Sequence, residues 1–578
     1  MAEGPKRRLL LLITLLIGCL LVVIVQLIKV QVVDHQFYIR WAREQRVKAI
    51  RMHDPPRGTI HDRNGYLLAG NVVRYAVEAA PAYVVDAGKA AEELAPVLHM
   101  PALHLRTLLE SRDDQGDLMP WVIVAPSVSK EIGEQVASRE IGGVTVRPLW
   151  EREYPEGTLA SHAIGFSTVV TGYYGVEGLY DSMLRPEPVR WEGPVDIASA
   201  PIPWQPVFGE FPRRGVKLVL TLDRTVQGLV EAELARSVHE YQAEGGTIIV
   251  MEPATFGILA MASWPPYDPA RYAELVEEEQ PPFEDPAVSM QYEPGSVFKV
   301  LTVAASLDAG VVTPDTVYDD KGWIEVGGQA IWNATRQAYG RQSVTDILIK
   351  SLNVGAAWLN TQMGPDVFYR YVQEFGIGQA TEVDLAGEVS GELWLPEDIE
   401  EWHPSSLGTN AFGQGVAVTP LQMITAVATV ANDGVRMRPH IVGRRIASDG
   451  RVSVFRPVLE ERVILPETAH TLTEMLVRVV EEGATLAQVE GYRVAGKTGT
   501  AEIPIAGGYD PEGTIATFVG FGPVPDPQLV VLVKLDRPKS SPLASQTAAP
   551  VFRRLASRLF VVMDIPPEGG AVLAEMRP

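Results

Sequence analysis

The sequence predicts an α+β protein in which a mainly antiparallel sheet with helices follows a β-rich mixed domain and one N-terminal transmembrane helix. Three observations carry this prediction. An uncharged apolar run occupies residues 9–28. Strand-like runs stand at both ends of a long helical region beyond Val216, which is typical of one α+β domain. The 578 residues exceed one ordinary core, so several domains are expected.

Composition and charge are those of a globular protein without a nucleic-acid partner. Hydrophobic residues make up 46% of the chain and charged residues 21%. The net charge of -22, with no basic stripe after the N-terminus, would repel phosphate. Cys19 is the only cysteine, and the ten histidines lack metal-ligand spacing. The sequence therefore predicts no metal and no organic cofactor.

The apolar run at 9–28 is long enough to cross about 30 Å of hydrocarbon as a helix. Lys6, Arg7 and Arg8 precede it, so the positive-inside rule places residues 1–8 in the cytoplasm. A cleavable signal peptide is the alternative, but no small-residue cleavage site follows the run. We therefore expect an uncleaved single-pass anchor, with the rest of the chain extracellular or periplasmic.

Two domains are predicted beyond the anchor. A juxtamembrane helix is expected over residues 29 to about 50, within an N-terminal domain that spans 29–210. The Pro-rich, irregular stretch 186–215 indicates the boundary. A second domain is predicted over 211–565, and a tail over 566–578.

The second domain begins with the strand pattern VKLVLTL, which ends at Asp223, a candidate cap for the next helix. GGTIIVMEP and GILAMAS predict a hairpin of buried strands. A mostly helical region follows, from about 290 to 435. Three strands and the helix TAAPVFRRLASRLFVVM then close the domain. We expect an antiparallel sheet whose first and last strands pair.

The stretch YEPGSVFKV places Ser296 three residues before Lys299 at a predicted helix start. A helix cap is the alternative explanation of Ser296. Lys299, however, would face the positive end of the helix dipole inside an apolar segment, and both effects lower the pKa of a lysine. Because positions i and i+3 share a helix face, Lys299 can reach the Ser296 hydroxyl. The pair indicates a nucleophile with its general base.

The surroundings distinguish this pair from a second S-x-x-K in the chain. Ser127 and Lys130 precede a polar helix, where Lys130 is expected to be solvated. Ser296 and Lys299 are followed instead by an S-x-N motif at the head of another apolar helix, formed by Ser351 and Asn353. Ordinary helix capping is the alternative for either residue of that motif taken alone.

A third motif, VAGKTGTAEI, contributes Lys497, Thr498, Gly499 and Thr500. Two glycines interrupt this strand pattern, which usually lets another group approach the backbone closely, and we expect that group to be a substrate. The lysine and the two threonine hydroxyls would bind a carboxylate. A plain hairpin is the alternative for this stretch alone. S-x-x-K, S-x-N and K-T-G-T in this order form the motif set of serine enzymes that react with penicillin.

The sequence resembles class B penicillin-binding proteins, which are membrane-anchored peptidoglycan D,D-transpeptidases. The resemblance covers nearly the whole chain beyond the anchor, and no glycosyltransferase-like domain precedes it. Its other motifs are PPRGTIHDRNGYLLA, YPEGTLASHAIGF, YGVEGLYDSML, LTLDRTVQ and FGQGVAVTPLQM. The resemblance implies a pedestal, dimerisation-like domain over 29–210. It implies a transpeptidase domain of the penicillin-binding-protein and serine β-lactamase type over 211–565.

The resemblance also implies roles for the motif residues. Ser296 would attack the penultimate D-alanine of a stem peptide ending in D-Ala-D-Ala, and Lys299 would be the general base. Ser351 would relay a proton to the leaving amine, and Asn353 would orient Lys299 and the substrate. The terminal carboxylate would be held by Lys497, Thr498, Gly499 and Thr500. Backbone N–H groups of Ser296 and Thr500 would form the oxyanion hole, and β-lactams would acylate Ser296.

Two other functions are alternatives to that of a transpeptidase. A D,D-carboxypeptidase or β-lactamase uses the same motifs and transfers the acyl group to water, although the large N-terminal domain argues against it. A penicillin sensor or a non-catalytic scaffold is the second, although all three motifs are intact. The resemblance alone implies a polytopic membrane glycosyltransferase as partner. The sequence does not decide between cell division and elongation, although the SLNVG form of the S-x-N motif favours the division type within the family.

Overall fold

The computed structural model describes residues 4–29, 31, 34, 47–51, 55–168, 171–186, 190–194, 215–505 and 507–567. The chain divides into two compact units. The smaller unit comprises Met1–Pro56, Arg74–Leu149 and Pro186–Arg214, and the larger unit comprises Arg57–Val73, Trp150–Arg185 and Gly215–Pro578.

The smaller unit begins with a helix over Gly4–Ile28. In the part of the chain that the structure describes, no helix is both long enough and apolar enough to cross a membrane. The membrane span at 9–28 stays a prediction. Most of the predicted juxtamembrane helix and of the tail 566–578 lies outside the described residues. The described end of that helix was predicted wrongly, because Val47–Arg51 is a strand that pairs antiparallel with Arg190–Pro194.

The rest of the smaller unit is a mixed layer of strands and short helices. The second half of the strand Leu67–Ala79 pairs antiparallel with Val122–Val128. Val77, Leu94 and Leu105 belong to its buried core. The other elements are a 3-10 turn at Pro81–Tyr83, helices over Ala87–Leu98, Ala102–Leu109 and Lys130–Ala137, and most of the strand Val144–Glu153.

The larger unit contains a five-stranded sheet, which we call the large sheet, together with strands of other sheets and most of the helices. Its helices cover Ser161–Ile164, Gly175–Leu179, Asp181–Leu184, Arg224–Tyr241, Tyr272–Leu275, Pro286–Ser289, Lys299–Asp308, Val344–Ile349, Asn353–Met363, Pro365–Glu374, Ser406–Thr409, Pro420–Ala431, Pro466–Arg478 and Ala548–Val562. Its other strands are Ile60–His61, Phe166–Ser167, Gly172–Tyr173, Lys217–Leu220, Val317–Asp320, Trp323–Val326, Gln329–Trp332, Gly340–Ser343, Glu392–Leu393, Val416–Ala417, Val435–Met437, Val442–Ile446, Val452–Val454 and Leu459–Arg462.

The large sheet has five antiparallel strands, which we label β1 to β5 in chain order. They are β1 Gly245–Met251, β2 Ile258–Trp264, β3 Ala495–Ile505, β4 Gly508–Gly522 and β5 Leu529–Asp536. Their order across the sheet is β2-β1-β5-β4-β3. The predicted hairpin of β1 and β2 is confirmed. The predicted pairing of the first and last strands is wrong for the first strand, VKLVLTL, because the last strand pairs with β1 instead, with Gly245 opposite Asp536. β3 is an edge strand.

Strands β1, β2 and β5 are buried on both faces, which explains why they are apolar at most positions. Ile248 and Val250 of β1 face a core that includes the helices Arg224–Tyr241 and Ala548–Val562. The alternate residues Ile249 and Met251 belong to the larger core. Since side chains alternate along a strand, a sheet covered on both sides needs an unbroken apolar run.

The strand that opens the predicted second domain lies in a different sheet. Lys217–Leu220 pairs antiparallel with Val442–Ile446 and parallel with Ile60–His61. Asp223, just after it, caps the following helix as predicted, since its carboxylate accepts from Thr225 N and Val226 N.

A buried ion cluster joins the early segments of the larger unit. The Glu177 carboxylate has no solvent exposure and contacts two guanidinium groups, Arg57 at 2.7 Å and Arg152 at 2.6 Å. Arg57 also pairs with Asp181 at 2.7 Å. A single buried carboxylate thus neutralises charge from two segments that are far apart in the sequence.

Candidate active site

Ser296 lies in a 3-10 turn, Gly295–Phe298, that leads into helix α1, Lys299–Asp308. Neither the turn nor the helix has a side-chain cap, so the alternative explanation of Ser296 as a cap is wrong. Gly295 adopts a φ of 55°. A Cβ added at Gly413 would lie only 2.5 Å from the Gly295 oxygen. Because neither glycine has a side chain, the turn can contact the 412–415 loop. The half-buried Ser296 hydroxyl is thereby held at a tightly packed turn.

Lys299 is fully buried and is the centre of the site. Its Nζ contacts Ser296 Oγ at 3.0 Å and Asn353 Oδ1 at 2.8 Å. It also contacts the Ser351 carbonyl at 2.7 Å and Ser351 Oγ at 3.3 Å. Burial, and next the charge of Lys497, lower the pKa of Lys299 well below its ordinary value. A neutral amine beside a serine hydroxyl can accept its proton.

Ser351 and Asn353 stand at the start of helix α2, Asn353–Met363. No side chain caps this helix, so capping explains neither residue. Ser351 has a φ of 58°, in the left-handed region that costs a non-glycine residue about 1–2 kcal/mol. This conformation presents both the carbonyl and the hydroxyl of Ser351 to Lys299. Strain at a site of this kind is stored by the surrounding structure.

Lys497, on edge strand β3, also contacts Ser351. Its Nζ contacts Ser351 Oγ at 3.0 Å and the Thr498 carbonyl at 3.0 Å. It is 1% exposed, and burial lowers its pKa to about 7. The Ser351 hydroxyl is therefore shared by two lysines. The structure brings the three predicted motifs together around this one oxygen.

The predicted close approach to β3 exists, and on the Cβ side of Gly499 the approaching group is the nucleophile turn. A Cβ at Gly499 would lie 2.7 Å from the Pro294 oxygen and 2.8 Å from Val297 Cγ2. Gly499 therefore makes room for the turn that carries the nucleophile. Thr498 is half-buried and Thr500 is exposed, and Thr500 Oγ1 accepts from Ala544 N at 3.1 Å.

The second S-x-x-K has none of these features. The Lys130 side chain is 61% exposed and pairs with Glu134 at 3.8 Å, one helical turn away. The prediction that Lys130 is solvated is confirmed.

Sequence reasoning missed the segment that supports α2. Asn333 Oδ1 accepts from Val354 N at 3.1 Å, and Asn333 Nδ2 donates to the buried Asp320 carboxylate at 2.9 Å. Asn353 Nδ2 donates to the Trp332 carbonyl at 3.3 Å. These residues carry no motif that a single sequence reveals.

Two family models match the chain. The model described as "Penicillin-binding Protein dimerisation domain" matches residues 52–188. The model described as "Penicillin binding protein transpeptidase domain" matches residues 246–557, more than half of the chain. The chain belongs to the class B penicillin-binding proteins.

Individual relatives agree with this membership. The chain is 34% identical over 512 residues to "Stage V sporulation protein D" of Bacillus subtilis, which covers 86% of this chain and 77% of that protein. It is 28% identical over 567 residues to "Peptidoglycan D,D-transpeptidase FtsI" of Escherichia coli, with 96% and 92% covered. The crystal structure of penicillin-binding protein 3 of Mycobacterium tuberculosis with aztreonam has a TM-score of 0.68 and 27% identity, with 90% and 98% covered.

Membership confirms three predictions made from the sequence. The family is class B, the fold is the mixed α+β transpeptidase fold with two domains, and the enzyme is a serine-type D,D-transpeptidase. Crosslinking of peptidoglycan stem peptides and covalent binding of β-lactams are the activities of this family of penicillin-binding proteins.

Proposed function

We propose that this class B penicillin-binding protein crosslinks stem peptides through an acyl-enzyme on Ser296. Ser296 Oγ attacks the carbonyl carbon of the penultimate D-alanine as Lys299 takes the hydroxyl proton. The C–N bond to the terminal D-alanine breaks, and Ser351 passes the proton to the leaving nitrogen. The observation that carries the proposal is the contact set of Lys299, a buried amine within hydrogen-bond distance of the nucleophile, the relay and Asn353.

The other motif residues bind and polarise the donor peptide. The Lys497 ammonium and the hydroxyls of Thr498 and Thr500 hold its terminal carboxylate, a charge-assisted interaction. Gly499 keeps this strand close to the nucleophile. The N–H groups of Ser296 and Thr500 form the oxyanion hole, where one donor typically contributes about 3 kcal/mol to the transition state. Because β3 lies at the edge of the sheet, its outer side can pair with an added peptide strand.

The second half-reaction transfers the acyl group to an amine of a neighbouring stem peptide. Asn353 keeps Lys299 oriented, and Lys299 takes the proton that the attacking amine loses. The ester bond to Ser296 breaks, an amide crosslink forms, and the hydroxyl is restored.

The relatives and the N-terminal sequence support a cellular setting for this reaction. Residues 9–28 anchor the chain in the cell membrane with 1–8 in the cytoplasm, a pedestal at 29–210 and the transpeptidase domain at 211–565. Relatives named FtsI and "Stage V sporulation protein D" support a role in division-type wall synthesis. A polytopic membrane glycosyltransferase supplies the glycan strands that this enzyme crosslinks.

Two measurements on the full chain test the proposal. Fluorescent penicillin should label the wild type and leave Ser296→Ala unlabelled, while Ser127→Ala, the serine of the solvated pair, should label normally. A donor peptide should yield a crosslinked product when an amine acceptor is added. Equal labelling of wild type and Ser296→Ala refutes the nucleophile, and a product formed only with water makes the enzyme a hydrolase.

A further inference from the structure

A short hairpin beside the active site carries two exposed tryptophans. Its strands are Trp323–Val326 and Gln329–Trp332, and Trp323 pairs directly across from Trp332. The two rings lie 6.0 Å apart with 32° between their planes, and 44% and 45% of the two residues is exposed. Ile324, Val326 and Ile331 point to the opposite, more buried face. The solvent face of this hairpin therefore presents an apolar aromatic platform where polar residues would ordinarily stand.

The hairpin that carries the platform is linked to the catalytic centre by hydrogen bonds. The Trp332 carbonyl accepts from Asn353, Asn353 accepts from Lys299, and Lys299 contacts Ser296 Oγ. Three successive hydrogen bonds thus join the hairpin to the nucleophile. The hairpin stands on the α2 side of the site, whereas the proposed carboxylate-binding residues stand on β3.

Polar groups with hydrogen-bonding capacity flank the two rings. The Arg336 guanidinium lies 5.9 Å from the Trp332 ring centre and, among the described residues, has no carboxylate within ion-pair distance. Glu325 is exposed two residues after Trp323 and thus on the same face of the strand. Flat aromatic faces bordered by a carboxylate and a guanidinium suit a pyranose ring, whose axial C–H face stacks and whose hydroxyl and amide groups accept and donate hydrogen bonds.

We infer that Trp323 and Trp332, with Arg336, bind the glycan of the acceptor substrate. This rests on the proposed function, in which a stem peptide attached to an amino sugar attacks the acyl-enzyme. An extended peptide covers about 3.3–3.6 Å per residue, so a sugar a few residues from the attacking amine reaches a neighbouring hairpin. The platform on the α2 side therefore receives the acceptor, and the β3 side receives the donor.

The test compares two acceptors on the full chain with one sugar-free donor peptide. One acceptor is a disaccharide-linked stem peptide of N-acetylglucosamine and N-acetylmuramic acid, and the other is the same peptide without sugar. We expect kcat/KM to be about tenfold higher for the sugar-linked acceptor in the wild type. Trp323→Ala should reduce this ratio to about two. Trp394→Ala, which removes another tryptophan that is 41% exposed, should keep the ratio at about ten.

The ratio of kcat/KM for the two acceptors distinguishes recognition of the sugar from a contribution of the tryptophans to hairpin stability. If the tryptophan pair only stabilises the hairpin, Trp323→Ala slows both acceptors equally and the ratio stays at ten, which overturns the inference. Trp323→Leu keeps apolar bulk if the alanine variant fails to fold, and it should also lower the ratio. Equal use of both acceptors by the wild type, as expected for a platform that docks a protein, overturns the inference as well. Absence of crosslinking with either acceptor, without penicillin labelling, would instead refute the proposed function.

Discussion

Ser351→Ala is the perturbation that most sharply tests the proposed proton path. It removes one oxygen, which lies 3.3 Å from Lys299 Nζ and 3.0 Å from Lys497 Nζ, and leaves the Ser351 carbonyl in place. A positioned proton-transfer group typically contributes a factor of about 10²–10⁴. We expect kcat/KM for an amide donor to fall about a thousandfold, or about 4 kcal/mol at 1.36 kcal/mol per tenfold.

The leaving group makes this prediction specific to proton relay. A thioester donor with the same acyl part releases a thiolate, which needs no proton in the transition state. For that donor, Ser351→Ala should cost about tenfold, the effect of a lost hydrogen bond to a charged group of about 1.5 kcal/mol. Amide and thioester turnover are measured side by side, with the rate of fluorescent-penicillin labelling as a third readout.

Ser351→Gly serves as the matched control for backbone strain. It removes the same hydroxyl and relieves the left-handed conformation at φ 58°. We expect Ser351→Gly to have the same kinetics as Ser351→Ala but a higher melting temperature than Ser351→Ala, since the strain amounts to about 1–2 kcal/mol. Equal losses for amide and thioester donors would refute a relay role. Recovery of amide turnover in the glycine variant would show that strain, and not the hydroxyl, was responsible.

Three further predictions concern charge, packing and burial. The kcat/KM for a peptide donor should fall as the pH rises through about 7. The pKa of Lys497, whose ammonium binds the carboxylate, is lowered to about 7, so this lysine is neutral at higher pH. A kcat/KM that stays constant from pH 6.5 to 9 would contradict this prediction. Gly413→Ala should slow penicillin labelling and cost about 1–3 kcal/mol of stability, because its Cβ would lie 2.5 Å from the nucleophile turn. Gly450→Ala is its control, since Gly450 has a φ of 83° but nothing within 4 Å, and similar labelling rates for the two would exclude the clash. Glu177→Ala should destabilise the protein by about 3–5 kcal/mol in thermal or denaturant unfolding, because the buried Arg152 loses its counter-charge and the buried Arg57 keeps only Asp181. Glu156→Ala, in a more exposed ion pair, should cost less than about 1 kcal/mol, and an equal loss for both would show that burial does not decide the effect.

Periodicity predicted the strands of the large sheet better than it predicted their partners. The apolar runs of β1, β2 and β5 and the cap at Asp223 are local features, and the structure has them where the sequence indicates. Lys217–Leu220 was placed correctly as a strand but joins Ile60–His61, more than 150 residues earlier. Choice of partner depends on contacts between distant segments, which a run of apolar residues does not encode.

In the candidate site, too, local features were predicted from the sequence and contacts between distant segments were not. The types and order of the motif residues identified the chemistry, and the unfavourable position of Lys299 at a helix start indicated its lowered pKa. The positive φ of Ser351 could not be read from the sequence, because serine gives no signal for the left-handed region. The contact between Gly499 and the nucleophile turn could not be predicted either, because a glycine indicates a close approach but not which atoms approach.

Two buried lysines share the Ser351 hydroxyl, and the proposed mechanism needs them in opposite charge states. Lys497 and Lys299 both contact Ser351 Oγ. Burial, and next the charge of Lys497, lower the pKa of Lys299 well below its ordinary value. In the proposed mechanism Lys299 must be neutral to take a proton, whereas Lys497 must be charged to bind the donor carboxylate. A bound carboxylate favours the ammonium form of Lys497, while burial, the larger cause, disfavours a charged Lys299 in both half-reactions.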